Sequence, residues 1–140
     1  MNNDIMRKEM IEAINSGRQV LDKLKAAQEK LNSAGNWGLL DMLGGGFLST
    51  MIKRSKIDEA NRLMEEARVG LWRFQPELKD VNLPMDMKLE VGSFLSFADY
   101  FFDGMVADFL VQSKISDAKQ KVAEAIYRVQ QVLNELEDHI

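Results

Sequence analysis

The sequence predicts an all-α protein: an antiparallel bundle or coiled coil of three long helices in a single domain, 1–140. Three observations carry that reading. Apolar residues recur at alternating steps of three and four through most of the chain, the spacing of a helical seam. Strand-like alternation is hard to find, and only two prolines, Pro76 and Pro84, interrupt the 140 residues. A segment also returns at an offset of 58: Ser55-Lys56-Ile57 is answered by Ser113-Lys114-Ile115, Asp41 by Asp99, Gly46 by Gly104, and Glu66-Ala67 by Glu124-Ala125. Self-similarity of this kind suggests a duplicated helical unit.

The first helix is expected over 3–33. Met6, Met10, Ala13, Gly17, Val20, Leu24, Ala27 and Leu31 make the seam, and Ile14 and Leu21 widen it. Gly17 on that seam either admits a neighbouring helix closely or marks a bend. Asn32-Ser33-Ala34-Gly35 supplies a stop. Residues 36–46, ending in Gly44-Gly45-Gly46, then read as a Gly-rich corner. A phosphate-binding loop would need Gly-Lys-Ser/Thr and a preceding strand, whereas Phe47 and Leu48 follow here.

The second helix is expected over 47–75, ended by Pro76. Its face shifts at Ser55, from Phe47, Leu48, Met51 and Ile52 to Ile57, Ala60, Met64, Ala67, Leu71 and Phe74. With no Pro or Gly at that junction, one continuous helix is preferred to a capped restart. After an irregular connection, 85–91 reads as one or two helical turns. The third helix is expected over 93–138, with Ser93 as its N-cap. It opens on the aromatic stretch 94–111, which should meet the Gly-rich corner as a compact head.

Composition excludes several function classes. The absence of cysteine removes disulfides, thiolate metal sites and cysteine nucleophiles. The single histidine, His139, stands at the chain end, so Ser-His-Asp chemistry and Glu-x-x-His metal motifs have no support. No catalytic constellation, metal set or cofactor motif is found, and the chain reads as a non-enzyme. A net charge of −4 argues against nucleic acid as the partner. Charge is uneven, +2 over 53–79 and −6 over 80–140, an asymmetry that can orient helix pairing. No apolar run reaches the roughly 18–20 residues of a membrane span, and no secretory signal is visible at the start, consistent with a cytoplasmic protein.

Function is therefore expected to lie in helix–helix contact: an interaction or scaffold protein binding a protein partner or itself, as a homodimer. Two other readings stay open. One is a pocket for a small ligand or divalent cation lined by Trp37, Asp41, Asp99, Tyr100 and Asp103. Asp99 falls inside the stripe Leu95, Phe102, Val106 and Phe109, where a charge requires a partner, and Asp103 lies one turn on. The other is a membrane-surface segment using Phe47, Leu48, Lys53, Arg54 and Lys56, against which a solvated helix face is preferred.

Overall fold

The structure, a computed structural model, describes the backbone of residues 3–42, 46–81, 83–101 and 115–139, and side chains over 4–33, 54–81, 83–101 and 118–139. Among these residues there is no strand. Four helices follow one another: α1 (Asn3–Met42), α2 (Gly46–Asp80), α3 (Met85–Asp99) and α4 (Ile115–Asp138).

The predicted seams form the core. On α1, Met10, Ala13, Val20, Leu24, Ala27 and Leu31 are buried, together with Ile14 and Leu21. On α2 the buried row is Ala60, Met64, Ala67, Leu71, Phe74 and Leu78, and on α4 it is Ala118, Val122, Ala125, Val129, Val132 and Leu136. These two rows correspond at the 58-residue offset. Two helices that both lay a heptad-spaced face against α1 share such a row whatever their origin.

Polar cross-links fix the direction of α1 against α2. Ser16 Oγ donates to Glu77 Oε2 at 2.7 Å. Lys23 pairs with Glu66 at 2.8 Å, and Lys30 with Glu59 at 2.9 Å. Residue numbers rise on one helix as they fall on the other, so the pair is antiparallel. The hydrogen bond from Lys30 holds the Glu59 carboxyl below its ordinary value, and the bond from Lys23 does the same for Glu66. Glu59 in turn raises the Lys30 ammonium above its own. At the far end, α4 finishes with Glu135, Glu137 and Asp138 and no base in its last turn, an unfavourable match to the negative end of the helix dipole. Arg18 of α1 reaches Glu137 at 2.6 Å and supplies the missing cation.

Phe74, with none of its surface exposed, is the point where all four helices meet. Its ring stands edge-on to Phe94 of α3, centroids 6.0 Å apart. Gly17 of α1 leaves so little room beside it that an added Cβ would lie 2.8 Å from Phe74 Cζ and 2.6 Å from Leu133 Cδ2 of α4. Of the two roles expected for Gly17, close approach is the one observed.

Helix limits differ from those expected. α1 runs past the Asn32–Gly35 stop to Met42, and α2 begins at Gly46 and continues through Pro76 to Asp80. At Ser55 it is unbroken, the continuous helix expected there. Pro76 removes one helical hydrogen bond. Burial of Leu78 and Val81 beyond it offsets that loss, each contributing about 1.5–3 kcal/mol. α3 starts at Met85 rather than Ser93, and Gly92 lies within it.

The third long helix, expected over 93–138, is not one helix. The Arg128 guanidinium lies 4.4 Å from the centroid of the Phe97 ring. In a straight helix those residues would be roughly 46 Å apart along the axis. Ser93 and Phe94 likewise share a cleft with Gln131 and Val132, so α3 and α4 lie side by side and antiparallel. The connection between them lies outside the described residues.

Candidate interaction surface

The segment joining α2 to α3 builds an apolar concavity. Pro84, at φ −57° and ψ 157°, is extended and precedes the first helical residue. Its carbonyl accepts from Lys88 N at 2.9 Å and so begins the helical ladder. Asp86 in the first turn suits the positive end of the helix dipole. Val81 and Leu83 are buried, which pins the connection against the two helices. Between them runs a groove of about 220 Å³, lined by Leu78, Val81, Leu83, Val91, Gly92 and Leu95, with Lys79 and Lys88 at its edges. Both lysines are exposed. Neither forms an ion pair among the described residues, in contrast to Lys23, Lys30, Arg18, Arg62 and Arg128.

Large apolar side chains are exposed on the same two helices. Met85 and Leu89, one turn apart on α3, are 72% and 69% exposed. That side of α3 lies opposite its buried row Met87, Val91, Phe94 and Ala98. On α2, Trp72 is 54% exposed and stands two turns before Lys79 on the same helix face. The Arg68 guanidinium covers part of the indole, 4.9 Å from its centroid, and Arg68 also reaches Glu65 at 3.5 Å. An exposed tryptophan with an arginine stacked on it is the residue pairing that concentrates binding energy at protein interfaces.

Two further concavities among the described residues mix polar and apolar surface. One, between α3 and α4, is lined by Glu90, Ser93, Phe94, Arg128, Gln131 and Val132. The other is a shallow depression on α2 formed by Arg54, Ser55, Asp58, Glu59 and Arg62.

The residues singled out from the sequence distribute as follows. Asp99 is exposed rather than enclosed in an apolar stripe, and its Oδ1 accepts from Gln75 Nε2 at 2.8 Å. The expected burial fails because Asp99 lies roughly 110° around α3 from the buried row Met87, Val91, Phe94 and Ala98. Phe102, Val106 and Phe109, the other members of the expected stripe, lie outside the described residues. Tyr100 is 67% exposed. Arg54 is exposed and lines the α2 depression, and Lys56 is half-buried. Asp103 and the side chains of Trp37, Asp41, Phe47, Leu48 and Lys53 lie outside the described residues. Among the described residues no three His, Cys, Asp or Glu side chains converge as metal ligands, and no helix is long and apolar enough to cross a membrane.

Sequence reasoning passed over Trp72, Lys79, Met85 and Leu89. Trp72 could have been found, since it falls on the outward side of the Ala60–Phe74 seam. The groove could not, because it exists only through the packing of α3 on α2. Comparison with protein families, with curated proteins and with solved structures finds no match for this chain.

Proposed function

We propose that this chain is a non-enzymatic helical interaction protein, a bundle of antiparallel helices that works by helix–helix docking and associates with itself. One observation carries the reading. The seams of the helices are spent on the protein's own core, yet Trp72 of α2 and Met85 and Leu89 of α3 remain exposed, and an apolar groove lies between the same two helices. Exposed apolar side chains gathered beside a concavity favour burial by a partner. The membrane-surface reading has less behind it, because Arg54 and Lys56 share their stretch of α2 with Asp58 and Glu59.

The competing reading is a bundle that binds a cation or small metabolite near Asp99. Thermal melts against divalent cations and common metabolites, with solution mass measured in parallel, separate the two. The interaction reading predicts a concentration-dependent mass and no melt shift. A chain of constant single-copy mass whose melting point rises by several degrees with one compound, and loses that rise as Asp99→Asn, would establish the competitor.

A further inference from the structure

We infer that the groove between α2 and α3 receives Met85 and Leu89 of a second copy of this chain, in a two-fold contact; the inference rests on the helix-docking reading above.

A two-fold interface uses the same patch on both partners, so that patch must hold both a projection and its complement. This one does. Met85 and Leu89 project from the outward side of α3, and the groove lined by Leu78, Val81 and Val91 opens along its flank beside Lys88. Charge is self-complementary too. Lys79 and Lys88 edge the groove, while the exposed carboxylates Asp80 and Asp86 stand beside them in sequence, and none of the four has an ion-pair partner among the described residues. Seating Leu89 and Met85 in the opposite groove brings Asp86 of each copy to the lysines of the other. Opposite charges then meet twice around an apolar centre, an arrangement of low charge at the core and polar groups at the rim. Within one copy Asp86 and Lys88 point to different sides of α3, 200° apart on the helix, so they do not neutralise each other.

The occupant is a copy of the same chain because the patch matches itself in shape and in charge. An acidic partner helix would satisfy Lys79 and Lys88 but would leave Asp80 and Asp86 without a cation. One groove and two side chains per copy make a contact at the small end of protein interfaces, so the dimer forms with rising concentration rather than being obligate.

The test is sedimentation equilibrium of the whole chain and of four variants, with circular dichroism to confirm that each remains helical. The exposed Leu89→Glu should weaken the dimer at least tenfold, and Tyr127→Ser, on the outside of α4, should leave it unchanged. Lys88→Glu alone and Asp86→Lys alone should each weaken it several-fold. Combining the two should restore it, because the pair is exchanged across the two-fold axis. A dimer indifferent to Leu89→Glu, or a double variant no stronger than the weaker single one, overturns the inference and leaves self-association standing. A single-copy mass at every concentration overturns both the inference and the self-association it rests on, an outcome distinct from a dimer that ignores Leu89→Glu.

Discussion

Two glycines inside helices should respond to alanine with opposite signs. At Gly17 the new methyl would press on Leu133 and Phe74, both essentially without exposed surface and therefore unable to swing away. Alanine gains about 1 kcal/mol of helix propensity, whereas overpacking costs about 1–3 kcal/mol. Gly17→Ala should thus lose up to about 2 kcal/mol in a urea melt. Adding Leu133→Ala should cost less in that background than in the wild type, since the cavity and the methyl compensate. Gly92 has nothing within 4 Å of the corresponding position. Gly92→Ala should therefore raise stability by about 0.5–1 kcal/mol, measured at protein concentrations low enough to keep the chain in single copies. Asp99 carries a different lesson at this scale. Its place on a helical wheel suggested burial, yet it lies roughly 110° around α3 from the row that is buried, Met87, Val91, Phe94 and Ala98.

Between elements, the α1–α2 pair is held by burial along its length and registered by Lys23–Glu66 and Lys30–Glu59. Each carboxylate has a folded-state pKa below its ordinary 4.5. A group depressed on folding contributes stability above its unfolded pKa and loses it as pH falls through the folded value. Stability from these pairs should be constant from neutrality down to about pH 5 and decline below the ordinary carboxylate value. Lys30 works in the opposite direction: raised on folding, its contribution is present below its ordinary 10.5 and fades as pH climbs past it. Chemical denaturation at a series of acid pH values, comparing the wild type with a Glu59→Gln/Glu66→Gln double variant, reads the effect. The wild type should be the more acid-sensitive of the two. Both pairs are partly exposed, so added salt should narrow the difference.

The seams were legible because a heptad row is a local property: Ala13 to Leu31, Ala60 to Phe74 and Ala118 to Leu136 are buried as their spacing foretold. The ends of the helices were not. Gly35 and Pro76 are stop signals whose effect is at most a few kcal/mol, and tertiary burial beyond them decides the outcome, as at Leu78 and Val81. The reversal between α3 and α4 was hidden for another reason. Aromatic residues lie on every side of 94–111 in projection, so periodicity cannot distinguish one long helix from two packed against each other. Only the meeting of Phe97 with Arg128 separates them.

At the scale of the whole molecule, the four helices close on Phe74, and the described residues of α2 and α3 carry an apolar groove and exposed apolar side chains. That surface is the reason for reading the chain as a docking protein. The acidic excess over 80–140 is offset in part from α1, by Arg18 on Glu137. Lys79 and Lys88 have no ion-pair partner among the described residues, and there a second molecule can supply one. The most direct test is solution mass by light scattering across a hundredfold range of concentration. The account predicts a mass that climbs from one chain of 16.0 kDa toward twice that value, and climbs less in high salt. A mass fixed at one chain throughout would contradict it.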